Sequence, residues 1–130
     1  MRATFRKEER LCSKKLLDRL FSEGKSFNQF PFRIMYLTAP LDGPYPVQVT
    51  IAVPKRKIRN AVQRNQIKRW MREAYRKNKD IVYSPLSENG HQMALMLIYI
   101  GSPRTNYTQV EDKIIVSLQR LIREYEQGNQ

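Results

Sequence analysis

Apolar residues between Ser13 and Glu23 recur three and four positions apart, which is the spacing of one face of an α-helix. They are Leu16, Leu17, Leu20 and Phe21. The hydroxyl of Ser13 suits the N-cap, and Gly24 stands where a left-handed residue often ends a helix. The pattern therefore predicts a helix over residues 13–23.

Two later segments have an apolar residue at every second position, the period of two that is typical of strands. The first covers residues 30–37, where Pro31 indicates a strand end or a sheet edge. The second covers residues 47–53 and is closed by Pro54. A segment rich in proline and glycine separates them, so we expect the two strands to pair as a hairpin.

The rest of the chain alternates between helical and strand patterns. Apolar residues return at helical spacing over 60–77, residues 84–90 have a loop composition, and residues 93–100 are an apolar run of strand length. Thr108 and Glu111 then have capping-box spacing before a last amphipathic helix. The apolar positions of this helix are Val110, Ile114, Leu118, Leu121, Ile122 and Tyr125. This order predicts one α+β domain with helices packed on a small sheet.

The charge of the chain indicates a polyanionic partner. The 130 residues include 24 Lys and Arg against 12 Asp and Glu, which gives a formal net charge of +12. Because 41% of the residues are hydrophobic, the chain is too apolar for a disordered basic tail. Residues 55–79 alone contain eleven Lys or Arg and one acid, so the charge is concentrated in the helix predicted over 60–77 and the turn before it.

Rare residue types exclude several classes of protein. A single cysteine, Cys12, forms no internal disulfide and no cysteine-rich metal site, which favours a reducing compartment. A single histidine, His91, excludes an acid–base pair of imidazoles. No apolar run approaches the roughly 20 residues of a membrane span. The first ten residues have no apolar stretch after their charges, so we expect no secretion signal and a cytoplasmic location.

The basic helix has the chemistry of a nucleic-acid surface. Arg64, Lys68 and Arg72 are four residues apart, and Asn65, Arg69 and Arg76 accompany them. Like charges at this spacing destabilise an isolated helix, so an anion on that face explains the pattern better than a solvated surface does. A membrane-surface helix is the weaker alternative, because the core needs the apolar side of this helix.

The basic stretch also resembles a known family. The sequence Ala61-Val62-x-Arg64-Asn65-x-x-Lys68-Arg69-x-x-Arg72-Glu73, preceded by a basic turn, is similar to the signature of the bacterial ribonuclease P protein subunit family. Arg10-Leu11 with the first helix, and Arg33-Ile34-Met35-Tyr36 in the first strand, also resemble that family. The similarity extends over nearly the whole chain in the same order.

The resemblance implies a fold. Members of the family are two-layer α+β sandwiches of the αβββαβα type, with a small mixed sheet, an overall likeness to ribosomal proteins, and a left-handed βαβ crossover through the basic helix. That hand departs from the usual right-handed rule. We therefore expect residues 1–130 to form one such domain. The sequence leaves open whether residues 1–9 fold or form a disordered basic arm.

The resemblance also implies a function. In this family an RNA subunit is the catalyst, holds the Mg²⁺ ions and removes the 5′ leader of precursor tRNA, while the protein binds that RNA and the leader. The implied partners are thus ribonuclease P RNA and precursor tRNA, with no DNA and no membrane. The implied activity is that of an endoribonuclease in tRNA processing, with no catalytic or metal-ligating residue on the protein.

Site residues follow from the matched positions. Those that the resemblance assigns to the RNA subunit are Lys55, Arg56, Lys57, Arg64, Asn65, Lys68, Arg69, Arg72 and Arg76. Those that it assigns to a leader cleft between the first helix and the sheet are Lys14, Leu17, Phe21, Ile34 and Tyr36. The chain departs from the family at Gln66, usually Arg, at Arg59, often Gly, and at Leu17, commonly Phe.

Three alternatives remain at this point. A ribosomal or assembly RNA-binding protein of similar fold has the same charge pattern and no processing partner. A stand-alone nuclease needs clustered carboxylates, but the side chains of adjacent pairs such as Glu8–Glu9 and Glu111–Asp112 diverge. A sequence-specific DNA-binding domain needs base-edge readout and a dimeric spacing that nothing in the sequence suggests.

Overall fold

The computed structural model describes residues 5–128 and shows a four-stranded sheet with four helices. The helices are α1 (Lys14–Glu23), α2 (Ala61–Asn78), α3 (Asp80–Asn89) and α4 (Tyr107–Gly128). The strands are β1 (Lys25–Gln29), β2 (Phe32–Thr38), β3 (Val47–Ala52) and β4 (Met93–Tyr99). A single 3₁₀ turn, Lys7–Glu9, precedes α1.

The strands are arranged β1-β2-β4-β3, and this order overturns the predicted hairpin. β4 lies between β2 and β3, antiparallel to the first and parallel to the second. The hairpin is instead β1–β2, closed at Phe30 and Pro31. β1 escaped prediction because its sequence, KSFNQ, has one apolar residue and no alternation.

The crossover from β3 to β4 contains two helices. The basic helix predicted over 60–77 is confirmed as α2, but residues 84–90, predicted as a loop, belong to α3 and its cap. Pro85 lies inside α3, and Gly90 ends it with a positive φ of 68°. The α+β fold class with a mixed sheet is confirmed. The left hand of the crossover stays a prediction of the family resemblance.

The main core lies between one face of the sheet and the layer formed by α2, α3 and α4. Alternate strand residues point into it, including Ile34 and Tyr36 of β2. All six apolar positions predicted for the last helix are buried there or at its edge. That helix begins two residues early, because Asn106 accepts a hydrogen bond from the Gln109 N–H at 2.9 Å and replaces Thr108 as the capping residue.

A smaller cluster covers part of the second face of the sheet. It joins α1 to the strands through the side chains of Leu11, Leu20, Met35, Ala94 and Met96. Ser13 caps α1 as predicted, accepting a hydrogen bond from the Leu16 N–H. Among residues 5–128, α1 is the one helix that contributes side chains to this cluster.

The sequence left open whether residues 1–9 fold, and the structure describes residues 5–9 of this segment. Arg10 pairs with Val49 in a parallel bridge along the outer edge of β3. Glu9 is fully buried, forms an ion pair with the buried Lys79 and accepts a hydrogen bond from the Tyr83 hydroxyl at 2.6 Å. Residues 5–9 are therefore part of the fold, and residues 1–4 of the expected arm lie outside the described residues.

Burial by itself raises the pKa of the Glu9 carboxyl, but hydrogen bonds from the Arg6 N–H, Lys79 and Tyr83 outweigh it and lower the pKa below its ordinary value. The carboxylate is thus held ionised in a buried position. Its partner Lys79 is the single residue between α2 and α3. The pair therefore connects the N-terminal segment to the junction of the two crossover helices.

Within residues 5–128, no helix is both long and apolar enough to cross a membrane.

Candidate nucleic-acid interface

The helix α2 separates a buried side from a charged side. Asn60 caps it by accepting a hydrogen bond from the Gln63 N–H at 3.1 Å. The residues that it buries in the core are Ile67, Met71, Ala74 and Tyr75. Because successive residues are about 100° apart around a helix, Asn65, Arg69 and Arg72 lie on the side away from the sheet, and all three are exposed.

The cations on this side lack acidic partners in the described structure. Lys68, Arg69 and Arg72 form no ion pair with any carboxylate of residues 5–128. Arg76 differs, because it forms an ion pair with Glu73 one turn before it. The hydrogen bond from Arg76 lowers the pKa of the Glu73 carboxyl. An exposed amide and three cations without counterions therefore form a surface that suits phosphate oxygens.

Arg64 is turned away from this surface. Its guanidinium donates to the backbone carbonyls of Ile58 at 3.0 Å and Arg59 at 2.8 Å. It is half-buried, close to the apolar side of α2. The predicted ladder of Arg64, Lys68 and Arg72 therefore begins with a residue that holds the preceding turn in place.

That turn presents the remaining predicted cations. Lys55, Arg56 and Lys57 are all exposed, and the buried Ile58 anchors the end of the turn in the core. The Lys57 N–H and the Ile58 N–H both donate to the Pro54 carbonyl, at 3.1 and 3.2 Å. The turn leads directly into α2, so its cations and those of the helix form one continuous basic surface.

The residues predicted for a leader cleft are divided between the two faces of the sheet. Lys14, Leu17 and Phe21 share one flank of α1, since they are three and four positions apart, and Phe21 is 59% exposed. Ile34 and Tyr36 are buried in the main core on the opposite face of the sheet. Their placement in a cleft beneath α1 was wrong, because alternate residues of a strand point to opposite faces.

The residues of β2 that alternate with Ile34 and Tyr36 form its second face. Arg33 is exposed, and Met35 and Leu37 pack toward α1. Arg33 pairs with Ile98 of β4, which pairs with Ala52 of β3, and the last two are half-buried. Asn28 of β1 pairs with Arg33 on its other side and completes a row of four across the sheet. Strict alternation from the buried Ile34 would have identified Arg33.

The flank of α1 that carries Leu17 and Phe21 adjoins the same face of the sheet, since Leu17 and Ile98 pack against one cluster. Lys15, Leu16 and Arg19 lie on the other flank, where they form a hollow with Pro40 and Gln48. Leu17 and Phe21 are about 100° further around the helix. Leu17 and Ile98 both pack against the smaller cluster, and Phe21 and Arg33 are exposed. We call the surface that carries these four residues the second-face groove.

The described residues offer no metal centre of their own. Within residues 5–128, no three side chains of His, Cys, Asp or Glu come close enough together to hold a metal ion.

The chain matches the family model described as Ribonuclease P over residues 5–122. The ribonuclease P protein component of Porphyromonas gingivalis is 31% identical over 115 residues, or 88% of this chain and 84% of that protein. That of Petrotoga mobilis is 31% identical over 125 residues, or 91% of this chain and 95% of that protein. Both the extent and the identity of these matches show the family.

Solved structures agree with the fold. The ribonuclease P protein of Thermotoga maritima superposes with a TM-score of 0.67 at 25% identity, covering 86% of this chain and 96% of that one. The protein of Staphylococcus aureus gives a TM-score of 0.65 at 20% identity, covering 83% and 90%.

The basic surface on α2 and its turn, the mixed sheet and the matches over most of the chain therefore lead to one conclusion. The chain belongs to the ribonuclease P family, as the RNA-binding protein component of the endoribonuclease that processes tRNA.

Proposed function

We propose that the exposed side of α2 and the basic turn bind the RNA subunit, and that the second-face groove binds the 5′ leader of precursor tRNA. The observation that carries the first part is the set of Lys68, Arg69 and Arg72, which are without carboxylate partners in the described structure. Such cations release counterions when they meet phosphates, which gives affinity without sequence readout.

The groove suits a single-stranded leader. Phe21 offers an exposed ring on which a base can stack, and Arg33 offers a guanidinium for a phosphate. Stacking tolerates any base, because every base has a π-face. A protein that serves many precursors needs this tolerance, so the groove fits a leader of variable sequence.

The catalytic Mg²⁺ belongs to the RNA subunit in this proposal. Phosphate oxygens and water are the ligands that Mg²⁺ prefers, and an RNA active site supplies them. The role of the protein is to position the leader and to neutralise phosphates near the catalyst. We also infer a cytoplasmic location, as expected from the reducing compartment that the cysteine content favours.

Reconstitution tests the proposal. Precursor tRNA is incubated at low Mg²⁺ with a bacterial ribonuclease P RNA, with the protein, and with both. We expect cleavage at the mature 5′ end only when both are present, because the protein compensates for scarce Mg²⁺ by holding substrate and RNA together.

The other outcomes separate the alternatives. Cleavage by the protein alone would place the active site in this chain and overturn the proposal. Tight RNA binding without stimulation of cleavage would favour a ribosomal type of RNA-binding protein.

A further inference from the structure

The turn between β1 and β2 presents an exposed aromatic ring beside a hollow. Phe30 is 68% exposed, which is more than any other aromatic side chain among the large hydrophobic residues exposed in the described structure. The hollow has a volume of about 300 Å³ and lies between the turn, the segment after β4 and the start of α4. Its lining residues are Phe30, Pro31, Tyr99, Ser102, Arg104, Thr105, Gln109, Asp112 and Lys113.

The backbone around this hollow is held firmly. The Ile100 N–H donates to the Pro31 carbonyl at 2.8 Å. Gly101 packs so closely that a Cβ at its position would lie 2.8 Å from the Cβ of Pro31. The Arg104 N–H donates to the Ser102 hydroxyl at 3.0 Å. The exposed ring of Phe30 therefore stands on a rigid turn, which limits the entropy lost when a ligand stacks on it.

The charges at the hollow favour an anion. Arg104 and Lys113 face it without an ion-pair partner in residues 5–128, and Asp112 is the one acid in its lining. With two cations and one acid, the lining has one net positive charge next to the apolar side chains of Phe30 and Pro31. A nucleotide, with a flat base and a phosphate, matches both parts.

The segment after β4 connects this hollow to α2. The same segment after β4 contributes Pro103 to a second groove, where it meets Val62, Gln66 and Trp70 of α2. Val62 is 78% exposed and lies seven positions before Arg69, so the two are on one side of the helix. Residues 102–105 thus lie between α2 and the Phe30 turn, and an RNA bound to the exposed side of α2 would follow them to the hollow.

We propose that an unpaired nucleotide of the RNA subunit stacks on Phe30 in this hollow, with its phosphate held by Arg104 and Lys113. This inference rests on the proposed binding of RNA by α2. The second-face groove lies beside α1 on the other face of the sheet, so we assign the occupant of the hollow to the RNA subunit and not to the leader.

Affinity measurements test the stacking contact. A ribonuclease P RNA transcript is titrated with the wild-type protein and with Phe30→Leu, Phe30→Trp and Val116→Ala. Loss of one base–aromatic stack is expected to weaken binding on the order of 5- to 100-fold for Phe30→Leu. Phe30→Trp should stay within about twofold because it keeps a ring for the base. Val116→Ala, at an exposed apolar position on α4 outside the hollow, should match the wild type.

The salt dependence separates stacking from charge. Phe30→Leu should leave the slope of log affinity against log salt unchanged, while Arg104→Ala should make it shallower by about one. A spectroscopic check uses Phe30→Trp in a Trp70→Phe background, since Trp70 is the only natural tryptophan. Its fluorescence should be quenched when RNA binds.

Several outcomes would overturn the inference. If Phe30→Leu bound ribonuclease P RNA as tightly as the wild type while Arg69→Ala bound it more weakly, the inference would be wrong. The role proposed for the α2 surface would then still hold. If Phe30→Leu weakened the binding of precursor tRNA and left the affinity for ribonuclease P RNA unchanged, Phe30 would contact the substrate instead of the RNA subunit, contrary to the inference. Self-association of the wild type that Phe30→Leu abolishes, with RNA affinity unchanged, would make the turn a contact between copies of this chain.

Discussion

Arg64 and Arg69 are five positions apart on α2 and have different surroundings. Arg64 donates to two carbonyls of the preceding turn, while Arg69 is exposed and has no carboxylate partner in residues 5–128. Both belong to the same motif and are the same residue type, so the sequence does not distinguish them. Their different roles follow from their positions around the helix relative to the core.

At the residue scale we predict that Arg69→Ala weakens binding of ribonuclease P RNA and makes its salt slope shallower by about one, the share of a single phosphate contact. Filter binding at several salt concentrations measures both quantities. Arg123→Ala is the matched control, because it removes the same charge from an exposed position on α4. Equal slopes for Arg69→Ala and the wild type would contradict the role given to this side of α2.

Arg64→Ala should behave differently from Arg69→Ala. Loss of its two hydrogen bonds to the turn lowers the free energy of unfolding by roughly 1–3 kcal/mol, since each bond comes from a charged donor that is half-buried. Urea denaturation measures the change. If Arg64→Ala were as stable as the wild type, the guanidinium would have no structural part in holding the turn.

A second prediction at this scale concerns the leader. Phe21→Ala should weaken binding of precursor tRNA about 5-fold or more relative to mature tRNA, because it removes one stacking ring from the second-face groove. Tyr36→Phe is the control: it lies on the opposite face of the sheet, 6% exposed, and keeps its packing. If Phe21→Ala weakened the binding of precursor and mature tRNA equally, Phe21 would not belong to the leader site.

At the scale of elements, the buried Glu9–Lys79 pair connects the N-terminal segment to the junction of α2 and α3. Sequence patterns did not reveal this link, because Glu9 and Lys79 are 70 residues apart and look like surface charges. The same is true of α3. Its apolar residues Val82, Tyr83 and Leu86 are buried, but Ser84 and Pro85 give the segment the composition of a loop.

We predict that Glu9→Gln destabilises the protein by about 3–5 kcal/mol, because it leaves the buried ammonium of Lys79 without its counterion. The double variant Glu9→Gln/Lys79→Met should recover much of this loss, since it buries no charge. Urea denaturation of the two variants gives the comparison. Similar losses for both would mean that the ion pair itself contributes little.

The pH dependence of this pair follows from the lowered pKa of Glu9. The ionised Glu9 carboxyl stabilises the folded state fully above the ordinary pKa of 4.5. This stabilisation is lost as the pH falls through the lower pKa that the group has in the folded state. The difference in stability between wild type and Glu9→Gln should therefore narrow below about pH 4.5. Thermal denaturation between pH 3 and 7 tests this, and a difference that widens toward acid pH would refute it.

At the scale of the whole molecule, the net charge of +12 opposes compactness. Most of the excess lies on α2 and its turn, where Lys68, Arg69 and Arg72 form no ion pair within residues 5–128. The charge that favours RNA binding therefore destabilises the free protein. Added salt should affect these two properties in opposite directions.

We predict that the melting temperature of the free protein rises by several degrees between 10 and 200 mM NaCl, since the screening length falls from about 30 to below 10 Å. RNA affinity should fall over the same range. The variant Arg69→Gln/Arg72→Gln, which has two fewer charges on α2, should show a smaller rise. A melting temperature that is flat or falls with salt would show that self-repulsion is unimportant here.

Local patterns along the chain were enough for α1, β2, β3, α2, β4 and α4, and for the concentration of charge on α2. These features depend on neighbours within a few residues: caps, helical spacing and alternation. The family resemblance added an RNA partner, which agrees with the matches over most of the chain.

Features that depend on distant contacts needed the folded molecule. β4 pairs between β2 and β3 because it is apolar on both faces and needs cover on both, a choice that no local pattern expresses. The same pairing puts Ile34 and Tyr36 against the helical layer and Arg33 on the second face of the sheet. Which face of a strand meets a helix is set by long-range packing. This is why the sequence identified the basic surface but misplaced two of the five residues predicted for a leader cleft.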